Sequence, residues 1–551
     1  MKFESDIRKN LGRLPRTLKE SYDKIYSAIE SEEGDAPRIA KIALQWIMAS
    51  ARPLSPDEWV DATYRAAGIG SESSLSTVLD ICHNLVVEDK QSKVMRFSHL
   101  SVQEYLENRE EFEISKVHSM AAQACLSVHI DLAQPNPAES RDYSLNYSDD
   151  YWEYHIHQCN GSYERDAVLG LLRSFLGSPS EPGQAYSKWF SHHNSSFGAR
   201  LFGCEEHLRS SPLSPLFAAA YFRLWEVFPE LWEWGTFDIN CRNQKGGTLL
   251  YVAAHQGNSA TVKILLDRDA NIEITEAVLT AAAGNSNGKN VIELLLARDA
   301  NIEITEAVLT AAAENYFGGK DVMDLLLARD ANIEITEAVL TAAGNFGGKD
   351  VMELLLARDA NIEITEAVLM AAAGNSNGKD VMELLLARDT DIEVTEAIVV
   401  AATANKKGDE IMELLSQYPT APVSLAAAKA AAYFGKYSWF QWLLAKYDKL
   451  YVTDGGYQQL LCAAVEGGSQ HIIKSLLMLC KPYSGPDNYD WTLPMLATQS
   501  RNTWALQLFE GVHFSHQFPS RLNPPNRWSK DPIPSVMSLE DDGLAMVYSG
   551  G

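Results

Sequence analysis

A block of 29 to 31 residues occurs four times in succession, and this repetition constrains the possible fold more than any other feature of the chain. The copies occupy 271–300, 301–331, 332–360 and 361–390, and a degenerate fifth copy occupies 391–420. The first and fourth copies agree at 26 of 30 positions. Repeats of this length are supersecondary units that cannot close a core singly and must stack on their neighbours. The sequence therefore predicts a solenoid.

Each copy is predicted to contain two helices. In the first copy, Thr275 stands at a favourable N-cap position, and Glu276 follows in the first turn, where its charge suits the helix dipole. The segment GNSNG ends this helix and precedes a second one, VIELLLAR. Helical spacing places these apolar side chains toward the core: Val278, Ala281 and Ala282 in the first helix, and Ile292, Leu295 and Leu296 in the second.

The loop GNSNGKN is similar at first sight to a phosphate-binding loop. A P-loop needs four residues between its first glycine and the Gly-Lys pair, a following Ser or Thr, and a preceding strand. Here three residues separate Gly284 from Gly288, Asn290 replaces the hydroxyl residue, and the helical segment VLTAAA precedes the loop. We therefore interpret it as an inter-helix loop whose glycines supply positive φ. Catalytic motifs such as G-x-S-x-G and H-E-x-x-H are absent from the sequence, which predicts neither an enzyme nor a cofactor.

Composition restricts the environment and the partners. The formal net charge of −26 would repel polyanions, so nucleic acid is not an expected partner. Seven scattered cysteines without C-x-x-C spacing indicate buried thiols in a reducing compartment. The sequence has neither a run of about 18 uncharged apolar residues nor an apolar segment near Met1 that would indicate a secretory signal. The chain is therefore predicted to be cytoplasmic, with no membrane partner.

The N-terminal 110 residues have a different pattern. Four helices are predicted, and the third begins with a capping box formed by Ser55 and Glu58, with Pro56 in the first turn. The segment LVVEDKQSKVMRFSHL then alternates apolar and polar residues around a turn, which predicts a β-hairpin. Helices followed by a hairpin indicate a winged helix.

The segment GGTLLYVAAHQGNSATVKILLDRDANIE at 246–273 resembles an ankyrin repeat, through the pattern set by Thr248, Leu250, Ala253, Ala254, Gly257, Val262, Leu265 and Leu266. Further units resemble this family at 214–240, 424–450, 456–480 and 487–510. The later copies lack the D-x-x-G-x-T-P hairpin tip of the family, so their fingers are expected to be stunted. The resemblance implies a protein ligand on the concave face of the solenoid.

Four N-terminal motifs resemble the segment that follows the nucleotide-binding domain of fungal NACHT proteins, which are relatives of NOD-like receptors. They are LPRTLKESYDKIY, ALQWIMASARPLSPDEW, VLDICHNLVVED and MRFSHLSVQEYLEN. The resemblance implies that His99, followed by Ser101, Glu104 and Tyr105, occupies the position of a nucleotide-sensing histidine. The NACHT domain itself is absent from this sequence. Two interpretations of His99 therefore stay open: a structural histidine at the end of a hairpin, or a sensing residue in a longer parent chain.

Two further segments are ambiguous. In YWEYHIHQCN, the residues His155, His157 and Cys159 could be three metal ligands, but a fourth would have to come from a distant segment, and the NACHT resemblance implies helix packing instead. We therefore predict no metal site. The tail NPPNRWSKDPIPSVMSLEDDGLAMVYSGG resembles the opening of a SPRY domain. Its length cannot complete a β-sandwich of about one hundred residues.

Together these features predict a mainly α protein: a winged-helix-like region at 1–110, a helical connector at 111–210, ankyrin-like repeats at 211–510, and a linker with a truncated SPRY-like start at 511–551. The predicted function is recognition of a protein ligand by the solenoid, in a fungal NOD-like receptor-type protein of immunity or self/non-self recognition. The alternative is a regulatory fragment that binds and tunes a full-length NACHT receptor.

One position varies inside the otherwise fixed first helix. It is occupied in the successive copies by Thr280, Thr310, Thr341, Met370 and Val400, which we call the variable row. Alignment on the ankyrin pattern points this position toward the concave groove, where packing would not fix it. Its variation is consistent with partner recognition or with neutral drift at a solvated site. The inter-helix loops around Ser286, Tyr316 and Phe346 are the other place where the copies differ.

Overall fold

The structure is a computed structural model. It describes residues 17–70, 74–133, 145–159, 164–179, 181–196, 214–243, 246–299, 301–329, 333–358, 362–388, 392–418, 424–446 and 456–479. The chain divides into two compact units, with the boundary between Glu273 and Ile274. The predicted repeat at 487–510 and the SPRY-like start at 511–551 lie outside the described residues.

The first unit begins with four helices, a β-hairpin and a fifth helix, in the predicted order. They are α1 (Leu18–Glu30), α2 (Ala36–Ala49), α3 (Pro56–Ala67), α4 (Leu75–Ile81), β1 (Val86–Asp89), β2 (Val94–Phe97) and α5 (Leu100–Glu107). The two strands are antiparallel, with Val86 opposite Phe97 and Asp89 opposite Val94. The assignment of this segment to the winged-helix class stays a prediction.

Side-chain hydrogen bonds fix the ends and the packing of these helices. The capping box at the start of α3 is confirmed, because the Ser55 side chain accepts from the Glu58 N–H while the Glu58 carboxylate accepts from the Ser55 N–H. The indole N–H of Trp46 donates to the Ala62 carbonyl, and that of Trp59 donates to the Ala43 carbonyl, both at 2.9 Å. This reciprocal pair joins α2 to α3, since buried indole N–H groups need an acceptor.

The other described elements of the first unit are helices and 3₁₀ turns. Its elements are α6 (Ile114–Leu132), α7 (Leu145–Gln158), α8 (Arg165–Leu176), α9 (Gln184–Ser196), α10 (Pro215–Tyr221), α11 (Leu224–Val227), α12 (Leu249–His255) and α13 (Ser259–Arg268), with 3₁₀ turns at Glu110–Phe112 and Pro229–Trp234. Helix α6 packs against α7 and α8 and also against α2 and α3. It therefore joins the predicted connector to the N-terminal helices.

The described part of the second unit consists of helix pairs. The first helices are α14 (Glu276–Ala283), α16 (Glu306–Glu314), α18 (Glu337–Ala342), α20 (Glu366–Gly374), α22 (Glu396–Ala404), α24 (Leu425–Tyr433) and α26 (Gly456–Glu466). The second helices are α15 (Gly288–Arg298), α17 (Gly319–Arg329), α19 (Gly348–Arg358), α21 (Lys379–Arg388), α23 (Gly408–Leu415), α25 (Tyr437–Lys446) and α27 (Gln470–Leu479). The mainly α architecture is thereby confirmed.

Each helix type forms its own layer, because each first helix packs against the first helices on either side of it and each second helix does the same in the other layer. Within one copy, the side chains buried between the layers are Val278, Leu279, Ala282, Ala283, Val291, Ile292, Leu295 and Leu296. The predicted inward positions are therefore correct except for Ala281, which is half-buried. The fully buried Ala282 and Ala283 lie where neighbouring first helices approach each other.

The N-cap threonines bond differently from the prediction. Thr275 does hold the N-cap position of α14, but its side chain makes no capping bond to that helix. In three later copies the equivalent hydroxyl donates to the first-turn glutamate of the preceding copy, as in Thr305 to Glu276 (2.5 Å), whereas the buried Thr336 hydroxyl of the third copy has no partner among the described residues. The same bond joins Thr365 to Glu337 (2.9 Å) and Thr395 to Glu366. These threonines therefore connect copies instead of capping their own helices.

The third copy contains a local irregularity. Its first helix is followed by a π-helical turn at Ala343–Gly347, whereas the other copies end in ordinary turns. The sequence of this copy has one alanine fewer before the loop, TAAGN instead of TAAAGN. The residues that form the loop in the other copies belong to this π turn here, and the second helix begins directly after it at Gly348. Among all described residues, no helix is both long and apolar enough to cross a bilayer.

Candidate functional site

The most regular contact between copies is made by an asparagine that directly follows, or closely follows, each first helix. Nδ2 of Asn315 donates to the Ala283 carbonyl (3.0 Å) and to the Asn285 carbonyl (2.7 Å) of the preceding copy. Nδ2 of Asn405 makes the equivalent bonds to Ala373 (3.0 Å) and Asn375 (2.6 Å). We call Asn315, Asn375 and Asn405 the asparagine ladder, since Nδ2 of Asn375 also donates to the preceding copy, at Gly344 (2.9 Å).

The equivalent asparagine of the first copy, Asn285, makes hydrogen bonds within its own loop. Oδ1 of Asn285 accepts from the Asn287 N–H (2.8 Å), and the Gly288 N–H donates to the Asn285 carbonyl (2.9 Å). These amides are therefore engaged within the loop and do not form the cradle of N–H groups that binds a phosphate. The P-loop-like segment GNSNGKN thus forms a turn between stacked helices.

Glycine is required at the start of the second helix, because the carbonyl of an alanine in the first helix lies very close to it. A Cβ at Gly288 would lie 1.9 Å from the Ala282 carbonyl oxygen, and one at Gly378 would lie 1.8 Å from that of Ala372. Neither residue has positive φ, so the prediction of left-handed loop glycines is wrong for them. It holds for Gly348, with φ of 72°.

Sequence reasoning missed the asparagine ladder. A signal was present, because all five copies have asparagine at this loop position while the residues after it change: Asn285, Asn315, Asn345, Asn375 and Asn405. An uncharged amide that stays fixed in a variable polar loop indicates a hydrogen-bonding role. In the structure, the bond to the preceding copy is made by Asn315, Asn375 and Asn405, whereas the side chain of Asn345 in the shortened third copy is exposed.

The variable row lies at one position of five adjacent first helices. Thr280, Thr310, Thr341 and Met370 are half-buried. Val400 is buried, with 8% of its surface exposed, so the prediction of a position not fixed by packing is wrong in the fifth copy. The structure therefore presents a partly accessible row across four copies.

Ion pairs connect the loop ends of the second helices. Lys289 lies 3.7 Å from Asp321, Lys320 lies 3.6 Å from Asp350, and Lys379 lies 3.4 Å from Glu410, so each pair joins neighbouring copies. All six side chains are substantially exposed. Exposed pairs of this kind contribute at most about 1 kcal/mol each. These lysines therefore already have a carboxylate partner in the array itself.

His99 lies at the N-cap of α5, directly after the hairpin. Its Nδ1 accepts from the Ser101 N–H (3.1 Å), and its ring is exposed. The Ser101 hydroxyl in turn contacts the Tyr22 hydroxyl at 2.7 Å, and Tyr105 donates to Asp23 at 2.8 Å. The residues of the NACHT-like word thus hold α5 against α1, which agrees with a structural histidine at a hairpin end.

The ambiguous segment YWEYHIHQ lies within the helix α7. His155 is fully buried, with Nδ1 at 2.8 Å from Nδ1 of His118 and Nε2 at 2.9 Å from the Tyr147 hydroxyl. His157 donates from Nε2 to the Phe222 carbonyl, and the Cys159 thiol donates to the His155 carbonyl. The three candidate ligands therefore have different partners, and no cluster of three or more potential metal ligands occurs in the described part of the chain.

Burial determines the charge state of this histidine pair. Desolvation lowers the pKa of His118 to about 4, and desolvation together with the neighbouring His118 lowers the pKa of His155 to about 3. The Ala51 N–H donates to the Tyr147 oxygen. A neutral His155 has one donor and one acceptor nitrogen, so it completes a hydrogen-bonded chain from the Tyr147 hydroxyl to His118. All three side chains are neutral in this arrangement.

Comparison with known families identifies two kinds of repeat. Residues 200–306 match the family described as ankyrin repeats (3 copies). Residues 294–323, 325–352, 354–382 and 384–412 match a domain of unknown function, DUF7104, and each match runs from one second helix into the next. No curated protein matches the chain. Ankyrin repeats are therefore confirmed, whereas the NACHT, winged-helix and SPRY resemblances stay predictions.

Proposed function

We propose that the second unit recognises a protein ligand along the face formed by its first helices, with the variable row in contact with that ligand. The observation that carries this proposal is that Thr280, Thr310, Thr341 and Met370 are partly accessible at the same position of adjacent helices. Ankyrin repeats generally mediate protein–protein interactions, and they are typically not enzymes. Each copy would contribute one contact to a continuous row.

The dimensions of this row suit a protein partner. Packed helices lie about 8–10 Å apart, so four copies form a row about 24–30 Å long. A standard interface buries about 800 Å² on each partner, which corresponds to a patch about 28 Å across. The row therefore has the length of one side of an ordinary protein interface.

Variation in the row has little effect on stacking. The neighbouring Val278, Leu279 and Ala282 are buried between helices, and the same residues occupy these positions in copies two to four. Substitutions at surface positions usually change stability by about 0.5 kcal/mol or less, and the partly accessible row lies closer to this class than the buried positions beside it. Partner specificity could therefore change while the array stays intact. Val400 is excluded from this role because it is buried.

The N-terminal motifs that resemble fungal NACHT proteins extend the proposal to a biological setting. We propose that the chain acts in the cytoplasm as part of a fungal NOD-like receptor-type system for immunity or self/non-self recognition. The five described cysteines are free thiols, which supports a reducing compartment. We further propose that His99 senses nucleotide in a longer parent chain. The cap uses Nδ1, and the ring is exposed to solvent.

The test replaces the three threonines of the variable row by arginine: Thr280→Arg, Thr310→Arg and Thr341→Arg. A matched control places arginine in the same three copies on exposed second-helix positions: Ala297→Arg, Ala328→Arg and Ala357→Arg. Each tagged variant is incubated with extract of the cells that produce the protein, and bound proteins are quantified by mass spectrometry. Both variants add the same charge, so a difference between them reports position.

The proposal expects a partner that binds the wild type and the control but is lost from the threonine variant, with both melting temperatures close to that of the wild type. Equal binding to all three proteins would show that the variable row drifts neutrally. A captured partner that itself contains a NACHT domain would favour the regulatory-fragment alternative over ligand recognition.

A further inference from the structure

Exposed apolar side chains have an unusual distribution in the second unit. Every large hydrophobic side chain that is exposed in its described part is aromatic and lies in, or at the edge of, an inter-helix loop: Tyr316, Phe317, Phe346, Phe434 and Tyr437. Their exposed fractions range from 39% to 86%. Single exposed apolar residues are ordinary, but a grouping in equivalent loops indicates a contact surface.

Three of these residues lie in the loops of two adjacent copies, the second and the third. We call Tyr316, Phe317 and Phe346 the aromatic loop patch; their exposed fractions are 54%, 86% and 50%. The equivalent loop positions of the first and fourth copies are occupied by the pairs Ser286–Asn287 and Ser376–Asn377. Because those copies form the same helix pairs with polar loops, the fold does not require aromatic side chains here.

Local contacts hold Tyr316 and Phe317 in place. The loop of the second copy is one residue longer than that of the first, whereas the third copy keeps the loop length and lacks one alanine before the loop. Tyr316 reaches across the third copy, since its hydroxyl accepts from Nδ2 of Asn377 in the fourth copy (3.4 Å) and its ring lies beside Gly348. The rings of Tyr316 and Phe317 meet edge-on, with centroids 5.1 Å apart. Pre-organised aromatic rings make good anchors for a partner, because little conformational entropy is lost on binding.

The charges around the patch favour a cationic partner. Lys320 and Lys349, which follow the two loops, already lie beside Asp350 and Glu353. Glu314, immediately before the aromatic loop, is exposed and has no ion-pair partner among the described residues. Residues 274–420 contain 25 acidic and ten basic side chains, a net charge of −15. An incoming lysine or arginine would be attracted by this field and by exposed ring faces.

We propose that the aromatic loop patch is a docking site for a protein segment in which an apolar side chain stands next to lysine or arginine. The apolar side chain packs on Phe317 and Phe346, and the cation lies near Glu314. The inference rests on the proposed function in taking the partner to be a protein, but it uses loop residues that are separate from the variable row.

The test uses a displayed library of random dodecapeptides, selected on the immobilised full-length chain. Its matched variant is Tyr316→Ser, Phe317→Asn and Phe346→Ser, which takes the residues of the first and fourth copies. An unchanged far-UV spectrum and melting temperature establish that this variant folds. Enriched peptides are synthesised, and their affinities for the wild type, the loop variant, Glu314→Gln and the threonine variant are measured by fluorescence anisotropy.

The expected result is a set of peptides with lysine or arginine beside a leucine or an aromatic residue. Their affinity should fall about tenfold or more in the loop variant, which is about 1.4 kcal/mol. It should fall less in Glu314→Gln and stay unchanged in the threonine variant. Failure to enrich any peptide, selection of acidic or neutral peptides, or equal affinity for the loop variant would overturn the inference.

Two other occupants are separated by direct controls. In the first control, the protein is sedimented with vesicles of phosphatidylcholine and phosphatidylserine; in the second, dimerisation is measured by light scattering. Vesicle binding or dimerisation that the wild type shows and the loop variant lacks would overturn the inference. Peptide binding that is lost in the threonine variant and kept in the loop variant supports the proposed function while refuting this inference. The reverse pattern supports this inference and leaves the variable row without support.

Discussion

Removal of one rung of the asparagine ladder should weaken the repeat array measurably. The substitution is Asn405→Ala, at a side chain that is 5% exposed. Asn405 makes three hydrogen bonds: its Nδ2 donates to the carbonyls of Ala373 and Asn375, and its Oδ1 accepts from the Lys407 N–H at 2.9 Å. Two of these bonds join the fourth copy to the fifth, so the change acts on the interface between copies.

The magnitude follows from these three bonds. A net contribution of about 1 kcal/mol for each gives a loss near 3 kcal/mol, with an upward contribution if the carbonyls left behind stay dry. That is a large share of the roughly 5–15 kcal/mol that stabilises a whole domain. In a stacked array the loss falls on one interface, so unfolding should begin between the fourth and fifth copies.

The assay is urea unfolding followed by far-UV circular dichroism, with hydrogen exchange to locate the loss of protection. Asn345→Ala is the matched control, since the same residue type in the shortened third copy is exposed. We expect the control to change stability by about 0.5 kcal/mol or less. A third variant, Asn405→Asp, would set a carboxylate against two carbonyl oxygens and should be worse than alanine at neutral pH. Equal effects of Asn405→Ala and Asn345→Ala would refute the ladder.

Three further predictions concern close packing, buried histidines and nucleotide. Gly378→Ala should cost about 1–3 kcal/mol in urea unfolding because its Cβ would meet the Ala372 carbonyl, whereas Gly374→Ala, with no atom within 4 Å, should be neutral or stabilising; equal effects would contradict this. His118 and His155 have pKa values of about 4 and about 3 in the folded protein. Because an unfolded histidine has a pKa of about 6.5, the unfolded chain binds more protons than the folded protein below that pH. The free energy of unfolding should therefore be about 4 kcal/mol lower at pH 5 than well above pH 6.5. A His118→Gln, His155→Gln variant that loses as much stability between pH 7 and pH 5 would refute that assignment. Equilibrium dialysis should detect no magnesium-dependent micromolar binding of ATP or GTP, because the loop amides of Asn287 and Gly288 are engaged.

The stacking of copies could be predicted from the sequence, because neither helix of a copy can bury its apolar face alone. The capping box at Ser55 and Glu58 and the hairpin after α4 were also predictable, since short motifs determine them locally. The bonds of Thr305 and Asn315 were not, because their partners lie in the preceding copy and pattern rules consider one helix at a time.

The remaining differences depend on packing that the local sequence does not reveal. Val400 is buried although Thr280, at the same helical position, is half-buried, so the local environment decides the exposure of this position. The missing alanine of the third copy was visible in the sequence. The π turn at Ala343–Gly347 that follows it was not predictable, because no local pattern in this segment distinguishes a π turn from an ordinary turn.

Photo-crosslinking tests most directly whether a partner lies on the first-helix face. A photoreactive phenylalanine analogue is introduced at Thr310 in one protein and at the exposed Ala328, on the second helix of the same copy, in another. Each is irradiated in extract of the cells that produce the protein. We predict a crosslinked protein partner from position 310 that is absent from position 328. Crosslinks from position 328 alone, or from neither position, would contradict recognition along the first helices.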